Sequence, residues 1–349
     1  MPVPDSWWRS RKVLRRLGIG AVLLFAVTAG AGWLLYQRLD GNIRTDEAAA
    51  RALAADHGKR PRPAPGKAQN ILVLGSDKEA NWGSERSDTT MLIHLSADRS
   101  RASVVSVPRD LMVDIPSCLQ PDGSRSTAQH APFNWAFQFG RAACAVRTFE
   151  DLSGIPVDHH LVVDFSGFKR VVDAVGGVEV NVSEKVCEPE YNITLQPGRQ
   201  LLRGQRALVF VRTRVGVGDG SDLQRVERQK QFIRQLLKKA QSEGVLTNPT
   251  KLYPLLDAAT SSLVADPGLD SLDELYRLVN SARTIPASAT QILTVPSVEH
   301  PDQRGRYTMV EDQAEALFRA IRDDRPLPKV YNAYEKDPSG RSFLDGSDS

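Results

Sequence analysis

Hydrophobic and polar positions follow three regimes along this chain. The first is one unbroken apolar run, LGIGAVLLFAVTAGAGWLLY at residues 17–36, which contains no charge. Twenty such residues are enough helix to cross the hydrocarbon core of a bilayer. The second regime begins at residue 70. Short apolar runs there are bounded by turn formers, and they predict strands at 70–75, 89–95, 102–107, 159–164, 178–182 and 291–295. Between and after them, apolar residues recur every three or four positions. That spacing predicts helices at 133–153 (with a break near Gly140), 166–175, 204–212, 222–241, 249–262, 271–283 and 310–322. Gly176-Gly177 ends one helix and starts a strand, as a glycine C-cap does. The third regime is the polar tail YEKDPSGRSFLDGSDS, which has too little to bury and is expected to be disordered.

This alternation predicts one α/β domain, a sheet with helices on both faces. The expected layout is a basic cytoplasmic tail at 1–16, a transmembrane helix at 17–36, a linker at 37–69, a folded domain at 70–325 and a flexible tail at 326–349. The linker reading rests on KRPRPAPGK, residues 59–67, where four bases and three prolines favour extended, solvated chain. The segment before it, TDEAAARALAADHG, has helical character.

Charge sets the topology. RSRKVLRR precedes the apolar run, which places the N-terminus in the cytoplasm and everything after residue 40 outside it. Ala29-Gly30-Ala31 resembles a signal-peptidase site, but the apolar run continues through Trp33-Leu34-Leu35, which favours an uncleaved anchor. The net charge of +3 hides a division. Residues 1–40 hold six bases against two acids, residues 41–69 six against three, and residues 70–349 33 against 37. A mildly acidic main domain argues against nucleic acid as a partner, which requires a broad basic surface. Cys118 and Cys144 flank a loop-rich segment and are able to pair outside the cytoplasm, leaving Cys187, although sequence alone does not fix a pairing.

Four segments carry candidate chemistry. VRTRVGVGDGSDLQRVERQKQF, residues 211–232, places Arg212 and Arg214 before a glycine-rich turn and Arg225 and Arg228 after it. Ser221 and Gln224 form a capping-box pattern for the helix that follows. Its apolar stripe is Val226, Ile233, Leu236 and Leu237, with Phe232 alongside. Gln229 falls within that stripe, and Arg225 and Arg228 fall at its edge, in the first two turns. A helix N-terminus favours anions, so these arginines read either as a phosphate site or as a solvated face. Asp77 and Asp88 close one strand and open the next, a placement that suits either paired magnesium ligands or turn residues. Arg109 and Asp110 follow an apolar strand, as a functional loop or as a surface pair. Asn134 in HAPFNWAF reads as a buried amide or a ligand contact. His159-His160 reads as structural more readily than as a metal site. No nucleophile elbow, Walker loop or HExxH motif is present.

Taken in order, NILVLGSD, RSDTTMLIHL, SVVSVPRDLMVDIP, FNWAF, VVDFSGFKRVVDAVGGVEV, LRGQRALVFVRTR and GSDLQRVERQ resemble the LytR-CpsA-Psr family over residues 70 to about 240. The resemblance implies an α/β/α sandwich with a central mixed sheet and an apolar pocket for a lipid tail. It implies a phosphotransferase that moves a cell-envelope glycopolymer, such as teichoic acid, capsule or arabinogalactan. The donor would be a polyprenyl-pyrophosphate carrier and the acceptor peptidoglycan. The family's magnesium aspartates fall on Asp77 and Asp88, its PRD arginine on Arg109, and its R-x-R pair on Arg212 and Arg214. Its R-x-x-R-Q motif falls on Arg225, Arg228 and Gln229, and Arg86 and Asn134 are further substrate contacts. The family's lysine two residues before Asn134 is Pro132 here, so one positive contact is missing or comes from elsewhere. Two other functions use the same residues: an envelope pyrophosphatase with water as nucleophile, and a non-enzymatic regulator that binds the lipid carrier.

Overall fold

A computed structural model describes residues 6–63, 66–76, 87–213, 222–242, 248–286 and 289–327. Its helices are α1 (Ser6–Asp40), α2 (Glu47–Ala55), α3 (Trp135–Ser153), α4 (Phe165–Ala174), α5 (Gly204–Arg212), α6 (Asp222–Ser242), α7 (Pro249–Thr260), α8 (Leu272–Ala282) and α9 (Glu311–Arg322). Its strands run from β1 (Arg44–Thr45), β2 (Gln69–Ser76), β3 (Ser87–Leu95) and β4 (Ala102–Val107) to β5 (Met112–Ile115), β6 (Gln129–Pro132), β7 (His159–Asp164) and β8 (Val178–Val182). They continue with β9 (Val186–Glu188), β10 (Ile193–Leu195), β11 (Gly198–Leu202), β12 (Leu263–Ala265), β13 (Thr290–Thr294), β14 (Ser297–Glu299) and β15 (Tyr307–Met309).

Among the described residues, seven strands form one mixed sheet in the order β1-β12-β7-β2-β3-β4-β13. The central strand β2 is apolar on both faces, as a strand covered on both sides must be. Leu72 and Leu74 point into a core built with α2, α3 and α9, where Phe149, Leu317 and Phe318 are buried. Ile71 and Val73 point the other way, against Leu269, Leu275 and Leu278 beneath α8. The period of two thus divides one strand between two cores, giving the α/β/α sandwich. A third core joins α4, α5 and α6 to the β8–β11 pair, with Phe232 fully buried beside Phe168 and Phe210.

Two expectations change. The apolar helix is longer than 17–36: α1 is continuous from Ser6 to Asp40, and its stretch Ile19–Asp40 is long and apolar enough to cross a membrane. Residues 37–69 are not a free linker. Arg44 and Thr45 pair with β12 as an edge strand, and Ala49, Ala52 and Leu53 enter the core under α3. Asp46 caps α2, its side chain accepting from the Ala49 N–H at 2.9 Å. The prolines begin only afterwards, past Arg60, whose guanidinium clasps the buried Glu150 at 2.8 Å.

Cys118 and Cys144 form a disulfide across a separation of 26 residues. α3 departs from helical geometry there at Gly140 and Arg141, and the close approach requires glycine, since a Cβ at Gly140 would sit 2.8 Å from that of Cys144. Replacing both cysteines with serine is expected to lower the unfolding free energy by about 3 kcal/mol. Urea titration without reductant measures it; an unchanged midpoint would show that the bridge adds nothing.

His159 and His160 tie the start of β7 to the residues that follow β12 and β1. His159 Nδ1 meets Asp266 Oδ1 at 3.1 Å, and His160 Nε2 lies 3.5 Å from Asp46. The Asp266 hydrogen bond raises the His159 pKa, against an opposing effect of burial. A raised folded pKa gives stability that is complete below the unfolded value of about 6.5 and is lost as pH rises through the folded value. The melting-temperature gap between wild type and His159→Gln is therefore expected to be wider at pH 6 than at pH 8.5. An equal gap at both would remove the ion pair from the account.

Candidate active site at one end of the sheet

The site starts from an irregularity in β2–β3 pairing. Gly75 is opposite Thr89 and Ser76 is opposite Ser87, so Asp88 is the extra residue of a bulge. A bulge re-aims its side chain and frees its backbone from the ladder. Both effects are used. The Asp88 carbonyl accepts from Arg225 Nη2 at 3.3 Å, and its carboxylate receives Arg109 Nη1 at 2.5 Å and faces Arg212 Nε at 3.6 Å. Three elements supply these arginines. Arg109 follows β4 after Pro108, Arg212 is the last residue of α5, and Arg225 lies in the first turn of α6.

The Arg109 and Arg212 guanidiniums are each held from a second side. Arg109 Nε also meets Asp110 Oδ2 at 3.3 Å, while Asp110 Oδ1 takes Arg306 Nη1 at 2.6 Å. Asp110 is 4% exposed, so of the two readings of Arg109-Asp110 the surface pair does not hold: the pair is buried. Arg212 lies over the Phe165 ring at 5.0 Å and donates to the Tyr191 hydroxyl at 3.2 Å. Arg225 is 2% exposed and lies two turns before Phe232, on the same face as Gln229. Gln229 Nε2 donates to Thr89 Oγ1 at 3.2 Å and to the Val211 carbonyl at 3.1 Å, tying α6 to both β3 and α5. Arg228 donates to the Thr213 carbonyl. Asn134 is buried below the site, and its N–H donates to the Arg109 carbonyl at 3.0 Å. Its Oδ1 has no hydrogen-bond partner among the described residues.

The structure thus gathers Asp88, Arg109, Arg212 and Arg225, with Gln229, Arg228 and Asn134 bracing them. Asp77, Arg86, Arg214 and the capping Ser221 lie outside the described residues. Sequence reasoning missed Arg306, Phe165 and Tyr191. Arg306 sits in a polar turn, DQRGRY, with no local signal; chain topology alone brings it across from Asp110.

Electrostatics give the site its character. Burial raises the Asp88 pKa, but the charges of Arg109, Arg225 and Arg212 outweigh burial and hold it below the usual carboxylate range. Asp88 is therefore ionised. Burial, and then repulsion by Arg225, lowers Arg228 to about 10. Guanidiniums crowded closely enough to repel one another are stabilised when an anion joins them. Among the described residues no group of three or more His, Cys, Asp or Glu side chains is placed to hold a metal. One ionised carboxylate does fit magnesium, which binds through one or two carboxylates and takes its remaining oxygens from phosphate and water.

The LytR_cpsA_psr family matches residues 38–323. The chain belongs to this family. The LytR_cpsA_psr match starts before β1, in agreement with the packed segment at 44–56. The chain is 30% identical over 327 residues to the probable cell wall biosynthesis protein LcpB of Corynebacterium glutamicum, covering 88% of this chain and 69% of that protein. It is 28% identical over 260 residues to the polyisoprenyl-teichoic acid–peptidoglycan teichoic acid transferase TagU of Enterococcus faecalis, covering 73% and 78%. It spans about two thirds of the length of the corynebacterial relatives it matches. In fold it is similar to a LytR-Csp2A-Psr enzyme from Actinomyces oris, with a TM-score of 0.62 and 22% identity over 80% of this chain and 95% of that one.

Proposed function

We propose that this protein transfers a cell-wall glycopolymer from a polyprenyl-pyrophosphate carrier to peptidoglycan, forming a phosphodiester and releasing polyprenyl phosphate. The observation that carries this reading is the convergence of Arg109, Arg212 and Arg225, from three separate elements, on Asp88 at the β3 bulge, the first two on its ionised carboxylate and the third on its carbonyl. A pyrophosphate diester carries about two negative charges, and its cleavage builds more on the leaving phosphate. Forked, permanently charged donors fixed from behind suit both tasks. The relatives named as teichoic acid transferases supply the substrate class.

In the proposed reaction Arg109, Arg212 and Arg225 swing from Asp88 to the diphosphate and orient it. A sugar hydroxyl of peptidoglycan attacks the phosphorus that carries the glycan. The bond from that phosphorus to the bridging oxygen breaks, and polyprenyl phosphate leaves. The hydroxyl proton passes to water. Asp88 is held too acidic to be an efficient general base, which works best with a pKa near the operating pH. Its role is to keep the arginines in place until the diphosphate arrives, and Asp88 and Asp77 are the residues that would hold magnesium. When bound, the metal would add positive charge against the phosphate oxygens.

The test is transfer by the full-length protein in lipid vesicles, from a polyprenyl-pyrophosphate glycan to added peptidoglycan. Muramidase digestion and mass spectrometry should find glycan linked to muropeptides through phosphate. Phosphate-terminated free glycan with no linked muropeptide would make the protein a pyrophosphatase instead.

A further inference from the structure

The junction between α1 and the domain is fastened at every residue but one. Leu39 and Ile43 are buried, at 6% and 8% exposure. Asp40 Oδ1 accepts the N–H of Leu272, the first residue of α8, at 2.8 Å. Asn42 Nδ2 donates to Asp257 Oδ1 at 3.1 Å and Thr260 Oγ1 at 3.3 Å, at the end of α7. Arg44 and Thr45 pair with β12, Thr45 Oγ1 donates to Asp270 at 2.7 Å, and the Asp46 N–H donates to the Ala265 carbonyl at 2.7 Å. Gly41 is the exception, and its N–H closes α1 on the Gln37 carbonyl at 2.9 Å. A flexible tether would carry none of these contacts.

The junction also points at the site. β1 runs parallel to β12, and β12 antiparallel to β7, so Arg44 lies towards the Asp164 end of β7. Arg44 Nη2 is 3.9 Å from Asp164 Oδ2. Asp164 caps α4, and the next residue, Phe165, carries Arg212, which faces Asp88. A few side chains therefore lead from the end of the membrane helix to the candidate anion site.

We infer that residues 39–46 form a rigid strap that sets the height and angle of the Asp88 edge above the bilayer, so that the site meets a pyrophosphate whose lipid lies in the same membrane. This rests on the proposed function and on α1 spanning the bilayer. The strap acts by orientation. A lipid-held pyrophosphate stays near the headgroups, and a site fixed at that level need not search for it, since small errors in placement cost large factors in rate.

The experiment inserts ten Gly and Ser residues after Gly41 in the full-length protein. Spin labels at Tyr36→Cys and Tyr276→Cys, with Cys187→Ser, report the helix-to-domain distance in lipid nanodiscs. The strap predicts one narrow distance without the insertion and a broad distribution with it. A broad distribution without the insertion would overturn the strap. Transfer is then measured from a long-chain donor in vesicles and from a short-chain, water-soluble donor. The insertion is expected to cut the first by about tenfold and to leave the second within about twofold. Equal rates from the vesicle donor would overturn the orienting role. If the uninserted protein uses neither donor, the proposed function fails, while the distance widths still decide the strap.

Discussion

Asp88→Asn is expected to lower glycan transfer by about 10²–10³ and also to destabilise the domain. Asp88 is the carboxylate that Arg109 and Arg212 share, at 2.5 and 3.6 Å, and its side chain is 12% exposed. Asparagine keeps the shape and removes the charge. The guanidiniums then face one another with less compensation. Breaking a fully buried pair costs about 3–5 kcal/mol, and partial exposure here reduces the expected loss to about 2 kcal/mol. The pH dependence follows from the depressed pKa. A lowered folded value gives stability that is present above the unfolded value of about 4 and lost as pH falls through the folded value. The stability gap between wild type and Asp88→Asn should therefore close in strong acid. Pyrophosphate should raise the melting temperature of the variant more than that of wild type, because it replaces the missing anion. Thermal melts with and without pyrophosphate, alongside the transfer assay, measure all of this. A variant that melts and transfers like wild type would return Asp88 to the role of a turn residue.

Arg225→Lys is expected to cost about 10² in transfer while the domain remains folded. Lysine keeps a positive charge in the first turn of α6 but loses the planar fork. Arg225 uses one arm of that fork on the Asp88 carbonyl at 3.3 Å, which leaves the orientation of the other arm set by the same bond. Lys238→Ala is the matched control. Lys238 is exposed and lies three to four turns further along α6, about 20 Å by the helical rise. An exposed charge there contributes about 0–1 kcal/mol, so its loss should leave transfer unchanged. The measurement is the vesicle transfer rate, with near-ultraviolet circular dichroism as the folding control. Equal rates for wild type and Arg225→Lys would show that only charge, not geometry, is used at this position.

The long elements were legible because their patterns are local. β2, β3, β4 and β7 read as apolar runs, and α6 as a stripe with Phe232 alongside, Gln229 within it and Arg225 at its edge; all three of these are buried. The two-residue β1 and three-residue β12 were not legible. Each is too short to show a period; β1 is a strand because β12 lies beside it some 220 residues away, and β12 because it fits between β1 and β7. The same distance hid the packing of α2: an Ala-rich stretch followed by prolines resembles a stalk until its partner α3 is in place. At the site, the motif residues could be named from their order, but what each touches could not. Asp88 looked like a turn residue or a ligand, and only the bulge shows why its carbonyl and its carboxylate face arginines from three elements. Arg306 had no signal, since its role comes wholly from its contact with Asp110.

A crystal structure of the protein with a short-chain polyprenyl-pyrophosphate analogue will show whether these arginines clamp a diphosphate. A rival location exists, a cavity of about 580 Å³ further along α6, lined by Arg199, Gln231, Gln235, Lys238 and Lys239. A diphosphate clamp places both phosphates at the β3 bulge, within hydrogen-bond distance of Arg109, Arg212 and Arg225, with those guanidiniums turned away from Asp88. Phosphates in the Lys238–Lys239 cavity, with Arg109 still on Asp88, would contradict it.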